Sequence, residues 1–241
     1  MDRKRFDELF TDIFSKNQLE KYATPRNAEL FAQFAEFLMS ENEKYNLTAL
    51  REIDKIIPLH FADCALVADL IPQNASVLDV GCGGGFPTVP LAILRPDISI
   101  CGLDSTAKKL NFIDMAAKNL GLTNISTLTG RAEELIENRR ESYDIVISRA
   151  VARLNVLSEL CLPFVKVGGS FIAMKGAAAE EEAREATNGI AILGGQMQIA
   201  QEYELITCDQ PEKRASVVIF KASSTPAKYP RAFGAIKKKP L

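Results

Sequence analysis

Val77-Leu78-Asp79-Val80-Gly81-Cys82-Gly83-Gly84-Gly85-Phe86-Pro87 decides how this chain is read. Three apolar residues around an aspartate read as a short buried strand. Gly81, Gly83, Gly84 and Gly85 then permit a tight turn whose backbone can approach a ligand closely. Pro87 suits the first turn of a helix, where a missing N–H costs nothing. Strand, turn and helix N-terminus form the usual cradle for a nucleotide-like ligand in an open α/β sheet. The dinucleotide fingerprint needs glycine at its first, third and sixth positions. Counted from Gly81, the third is Gly83 but the sixth is Phe86. A phenylalanine there, followed by proline, argues against a diphosphate and for a ligand without one.

The chain changes character at Ala75. Upstream, Phe6, Leu9, Phe10, Ile13 and Phe14 form an amphipathic helical stripe, and Leu30, Phe34, Phe37, Leu38 and Tyr45 continue the period after Pro25. A break at Asn46-Leu47-Thr48 precedes a further helix expected from Leu59 to about Ile71. Downstream, strands are expected at 76–80, 98–103, 124–129, 143–147, 169–174, 196–205 and 215–221, with helices at 87–94, 107–120, 131–138, 154–165 and 178–191. Alternation of this kind implies a parallel sheet with right-handed crossovers. Only Cys208–Lys213 joins the last two strands, so they must pair antiparallel. The expected fold is α/β, a seven-stranded Rossmann-like sheet, mostly parallel with an antiparallel last strand, behind an N-terminal helical extension. Its parts are the extension (1–73), the ligand-binding domain (74–225) and a basic, proline-rich tail (226–241).

Composition removes several functions. A net charge of −2 excludes a strongly cationic, nucleic-acid-coating protein. Positive charge is nevertheless concentrated at one end: Lys213 to Leu241 holds eight Lys or Arg and no acid. The cysteines (Cys64, Cys82, Cys101, Cys161, Cys208) show no C-x-x-C pair and no zinc spacing, so no metal is expected. Their odd number fits a reducing compartment. The first residues lack an apolar signal core, no stretch is long and apolar enough for a membrane span, and the cytoplasm is the expected location. His60 is the single histidine, which excludes mechanisms needing a histidine pair.

The pattern D-V-G-x-G-x-G-F-P over Asp79–Pro87 resembles the first motif of Rossmann-like S-adenosylmethionine-dependent methyltransferases. In such sheets the ligand sits beyond the carboxyl ends of the strands. Asp104, ending the second strand, suits a ribose diol, since a carboxylate accepts from both hydroxyls; it equally suits a helix cap. Arg131-Ala132-Glu133-Glu134 follows the third strand, where an adenine edge is commonly met, and also reads as an acid-rich first turn. Arg149, in Ser148-Arg149-Ala150, would repel a sulfonium unless a carboxylate or phosphate intervened. It therefore belongs on a methionine carboxylate or an RNA phosphate, or in a structural ion pair. Lys108 and Lys109 read as a solvated face, Cys82 as a small turn residue, and His60 as either a helix residue or part of the acceptor pocket. No N-P-P-Y or D-P-P-Y follows the fourth strand to hold an exocyclic amine, and no Pro-Cys offers a nucleophile for pyrimidine carbon-5. An acceptor that already carries a lone pair, such as guanine N7, needs neither; in-line positioning in a dry pocket suffices.

Nearly the whole chain resembles one family, the bacterial 16S ribosomal RNA guanine-N7 methyltransferases known as RsmG or GidB. The blocks that carry the likeness are Tyr45-Asn46-Leu47-Thr48-Ala49, His60 with Asp63, Gly85-Phe86-Pro87-Thr88-Val89-Pro90-Leu91-Ala92, Asp104-Ser105 with Lys108-Lys109, Arg131 to Glu134, Ser148 to Ala152, Met174-Lys175-Gly176 and the Lys228-Tyr229-Pro230-Arg231 tail. A Cys-Gly-Gly turn replaces the family's small-Gly-Ala form and leaves the backbone permissive. The resemblance implies a class I methyltransferase sheet and S-adenosylmethionine as cofactor, contacted by Gly81, Phe86, Ala132, Glu133 and Arg149, with Asp104 a further candidate. It implies transfer to one flipped-out guanine in the decoding-region loop, with 16S ribosomal RNA or the small ribosomal subunit as partner and a monomeric enzyme. No side chain is assigned as catalytic. Asn46, His60, Arg149 and Lys175 are expected on the acceptor side, and Lys228, Arg231, Lys237, Lys238 and Lys239 on the RNA. A small-molecule methyltransferase or a non-catalytic nucleotide-binding module would use the same glycine turn.

Overall fold

The computed structural model describes residues 1–241, with the side chains of all but 199–201. Helix α1 (Arg3–Lys16) starts where the Asp2 carboxylate accepts from the Arg5 N–H, and it buries Phe6, Phe10, Ile13 and Phe14, the stripe read from the sequence. Helix α2 (Pro25–Tyr45) begins with Thr24 capping the Asn27 N–H and proline at its first position, and it ends where Asn46 turns left-handed. The next helix departs from expectation. Rather than running from Leu59 to Ile71, it starts as α3 (Ile53–Ile56), widens into a π turn over Ile57–Ala62, and closes as α4 (Asp63–Ala65). The wide turn contains Pro58, whose ring would clash with a carbonyl in a tighter helix.

From here strand and helix alternate: β1 (Ser76–Val80), α5 (Thr88–Leu94), β2 (Ser99–Asp104), α6 (Ala107–Leu120), β3 (Ile125–Thr129), α7 (Ala132–Leu135), β4 (Tyr143–Arg149), α8 (Leu154–Cys161) and β5 (Val165–Gly176). Then follow α9 (Ala179–Ile192), β6 (Gly195–Leu205), β7 (Glu212–Lys221) and α10 (Phe233–Lys238). Helix α8 stops short of the expected 165 because Pro163 lies in the 3-10 turn that follows it. The seven strands lie in the order β3-β2-β1-β4-β5-β7-β6. Pairing is parallel from β3 through β5, and β7 runs antiparallel to both of its neighbours. Chain order reverses between β1 and β4, so a crevice opens beyond the carboxyl ends of these adjacent strands.

Each face of the sheet is covered by its own core. One core joins the phenylalanines of α1 and α2 to Val77, Ile100, Phe112 and Ile145, so the N-terminal helices share a core with the sheet. Phe34 links the two, with ring centroids 5.8 Å from Phe61 and 5.7 Å from Phe86. The other core lies under α8, α9 and the end of the chain, and includes Phe164, Phe171, Tyr229 and Ile236. The tail expected to be little more than a basic extension is therefore seated on the domain. Tyr229 is 7% exposed and Ile236 fully buried, apolar positions that the many lysines around them obscure in the sequence.

Candidate functional site

The glycine turn after β1 is tied down from β2. The Gly81 and Cys82 N–H groups donate to the Leu103 carbonyl at 2.8 and 3.1 Å. The Asp104 carboxylate accepts from Gly83 N–H at 3.0 Å through Oδ2 and from Thr106 N–H at 2.8 Å through Oδ1. Asp104 does not cap α6, whose N-cap is Thr106 without a side-chain hydrogen bond; its carboxylate braces the turn instead and also lines the cavity above it. Gly81 is left-handed at φ +78, and a Cβ there would lie 2.4 Å from Val151 Cγ2. A Cβ on Gly84 would lie 2.9 Å from the Leu47 carbonyl oxygen, so the break after α2 packs directly on the turn. That break is held by Asn42, whose Oδ1 accepts from the Leu47 and Thr48 N–H groups while its amide donates to the Thr48 carbonyl.

Above the turn lies a cavity of about 410 Å³, within the range of about 300–1,000 Å³ usual for small-molecule sites. All of Gly81, Phe86, Asp104, Ala132, Glu133 and Arg149 line it. A second cavity of about 680 Å³ adjoins it, lined by Asp63, Lys175 and Arg214 among others. Thr48, His60, Arg149, Ala150 and Val151 line both and form their common wall.

The polar groups of that wall form one network. Arg149 Nη1 donates to the Leu59 carbonyl at 3.0 Å and to Asp63 Oδ2 at 3.1 Å, and Nη2 donates to His60 Nδ1 at 3.0 Å. Asp63, 4% exposed, takes Arg214 on its other oxygen at 3.2 Å. Nδ1 of His60 also lies 3.1 Å from the Leu59 carbonyl, but that carbonyl already accepts from Arg149 and a guanidinium only donates, so Nδ1 is the acceptor and the ring carries its proton on Nε2. Nε2 lies 2.8 Å from Thr48 Oγ1, which also accepts from the Leu50 N–H at 3.1 Å. Burial, reinforced by the Arg149 charge, lowers the His60 pKa to about 3, so the ring is neutral. The ring stacks on Phe86 at 4.0 Å between centroids, and Arg149 lies over the same phenylalanine at 5.2 Å.

Beneath the turn, Asp79 is fully buried; Oδ2 accepts from the Thr88 hydroxyl and N–H, and Oδ1 has no partner among the described residues. Burial raises its pKa to about 7, with Thr88 and Arg149 opposing. Burial also pushes the Cys82 thiol up, which leaves it an unreactive turn residue.

Of the other expected site residues, Lys175 alone lines either cavity. Asn46 is exposed at the left-handed end of α2 and lines neither cavity. Lys175 lines the larger cavity, but its ammonium is held by the Ala152 carbonyl at 2.6 Å and by Glu182 at 2.9 Å. Arg231 does not extend from the surface: it clamps the fully buried Glu159, with Nη2 2.5 Å from Oε2 and Nε 2.8 Å from Oε1. A buried carboxylate requires such a partner, and Arg231 supplies it. Lys228, Lys237, Lys238 and Lys239 are exposed. Lys109, expected in solvent, reaches the rim of the 410 Å³ cavity. Thr48, Asp63, Arg214 and Phe233 are site residues that sequence reasoning did not assign. Asp63 meets Arg149 and Arg214 across 86 and 151 residues, and no local pattern signals that. Among the described residues no group of His, Cys, Asp and Glu is placed to hold a metal ion, and no helix is long and apolar enough to cross a membrane.

The family model described as rRNA small subunit methyltransferase G (GidB) matches residues 27–208. A ribosomal RNA small subunit methyltransferase G of Clostridium novyi is 43% identical over 241 residues, covering 98% of each chain. That of Brevibacillus brevis is 42% identical over 238 residues, covering 97% of this chain and 98% of its own. Among solved structures, M. jannaschii TYW2 in complex with AdoMet superposes with a TM-score of 0.52 at 13% identity, covering 66% of this chain and 74% of its own. That last likeness is one of fold alone.

Proposed function

Since the chain belongs to the GidB family of small-subunit ribosomal RNA methyltransferases, we propose that it methylates guanine N7, with the methyl donor in the 410 Å³ cavity and the base in the 680 Å³ one. It is an S-adenosylmethionine-dependent rRNA methyltransferase of the class I fold. The observation that carries the finer reading is the common wall: two cavities of suitable size meet only across Thr48, His60, Arg149, Ala150 and Val151, among the described residues. Donor and base seated in the two cavities would face each other there.

The residues present fit such a donor. Gly81 and Gly84 leave no room for a Cβ, so the backbone of the turn itself lines the cavity and a ligand can approach it closely. The remaining lone pairs of Asp104 suit a ribose diol. Arg149 has five N–H groups, of which three are used; two remain for the donor's carboxylate. When bound, S-adenosylmethionine supplies an electrophilic methyl on its sulfonium, and the N7 lone pair forms the new C–N bond as the C–S bond breaks. Charge passes from sulfur to the purine and no proton moves, so no side chain is needed as a base.

The chain's task is alignment. Asp63 balances Arg149, Arg149 fixes the His60 tautomer, and His60 Nε2–H with Leu50 N–H fills both lone pairs of the Thr48 hydroxyl. The hydroxyl proton is left to donate. Guanine presents O6 and N7 side by side as acceptors, whereas adenine has an amino donor beside N7. A donor at Thr48 therefore holds O6 and aims N7 across the wall, and it selects guanine over adenine. The decisive test incubates the protein with labelled S-adenosylmethionine and small subunits lacking the modification, then digests the RNA to nucleosides. Label in 7-methylguanosine is expected; label in any other nucleoside would reject the N7 assignment.

A further inference from the structure

We infer that the C-terminal segment completes the methyl-donor site: Phe233 walls its adenine end, facing the residues after β3. The inference rests on the donor occupying the 410 Å³ cavity. Phe233 lines that cavity together with Arg131, Ala132 and Glu133, although about a hundred residues separate them in sequence. Its ring centroid lies 5.9 Å from the Arg131 guanidinium carbon. With the ribose on Asp104 at the end of β2, the purine falls toward the end of β3, between Ala132 and this aromatic–guanidinium pair. A flat, polarisable, apolar surface is what a purine face recognises, and an arginine plane beside it adds a second such surface.

Phe233 is held in place from both sides. Two residues before it, the Arg231 backbone N–H and guanidinium both donate to Glu159, which is fully buried. Three residues after it, Ile236 is fully buried in the core under α8 and α9. Arg231 Nη2 also donates to the Lys239 carbonyl at 3.1 Å, and Arg140 Nη2 to the Tyr229 carbonyl at 2.6 Å. At the chain end Leu241 abuts Gly189, where a Cβ would lie 2.8 Å from Leu241 Cβ. The segment is fixed at four points, and the one large side chain it turns toward the cavity is Phe233.

Calorimetric titration with S-adenosylhomocysteine and with 5′-deoxy-5′-methylthioadenosine, which lacks the amino-acid end, tests this. Phe233→Ala is expected to weaken both ligands by the same factor, about 5- to 20-fold, and Phe233→Leu to recover part of the loss. Alanine-variant affinities within twofold of the unsubstituted protein, or a loss confined to S-adenosylhomocysteine, would overturn the inference. If the unsubstituted protein binds neither ligand, the donor reading itself fails. Should the alanine variant unfold, hydrogen exchange on the unsubstituted protein decides. S-adenosylhomocysteine is expected to slow exchange across residues 232–236, and unchanged exchange there rejects the wall.

Discussion

Thr48 has one hydroxyl proton, and both lone pairs of its oxygen are taken by His60 Nε2–H and Leu50 N–H. Thr48→Val keeps the shape and removes the donor. One hydrogen bond made to the base is worth roughly 1–3 kcal/mol when its partner is left unpaired. The variant should therefore lose on the order of 10- to 100-fold in kcat/KM for small subunits while binding S-adenosylhomocysteine normally, and Thr48→Ser should restore much of the rate. Unchanged kcat/KM in the valine variant would remove Thr48 from base recognition. Asp79 makes a separate prediction about stability. Its folded pKa, raised by burial to about 7 from an ordinary 3.8, means that folding favours the protonated carboxyl. The stabilisation is complete below the unfolded value and is lost as pH rises through about 7. Asp79→Asn can still accept from Thr88 but cannot ionise. Relative to the unsubstituted protein it should gain on the order of 2 kcal/mol between pH 5.5 and 8 in urea unfolding, the size set by linkage. A stability difference that does not change with pH would show that Asp79 titrates normally.

At the scale of elements, what was legible depended on how local the signal was. The strand–turn–helix over 77–87 was readable because its buried strand, its left-handed glycines and its helix start are neighbours in sequence. The strand pattern and the antiparallel end of the sheet followed from period and loop length. The region of Pro58 was not legible, because a proline reads as a helix boundary and here sits within a wide π turn. The common wall was only partly legible. His60 and Arg149 stood out by type and position, but their pairing runs through Asp63, whose second partner lies on β7. The end of the chain misled for a related reason. Its lysines dominate its composition, while Tyr229, Ile236 and the Arg231–Glu159 pair, which fix its place, signal only through tertiary contacts.

For the whole molecule, the seated C-terminus changes how RNA binding has to be tested. With a net charge of −2 the protein has little general attraction for RNA, so binding must come from local concentrations of cations. Lys237, Lys238 and Lys239 form one exposed basic run at the end of α10, the helix whose first residue, Phe233, lines the 410 Å³ cavity. Deleting residues 226–241 would remove this charge, but it would also strip Glu159 of its partner and open the core around Ile236. Lost activity in such a truncation would say nothing about RNA. Replacing the three lysines by glutamine changes only the charge, because their side chains are exposed and make no ion pair among the described residues. Each lysine on a phosphate contributes roughly one unit to the slope of log affinity against log salt. The triple variant should therefore bind small subunits more weakly at low salt, with a slope shallower by about 2–3 units, while its S-adenosylhomocysteine affinity stays unchanged. An unaltered slope would show that α10 faces away from the RNA and serves the donor site alone.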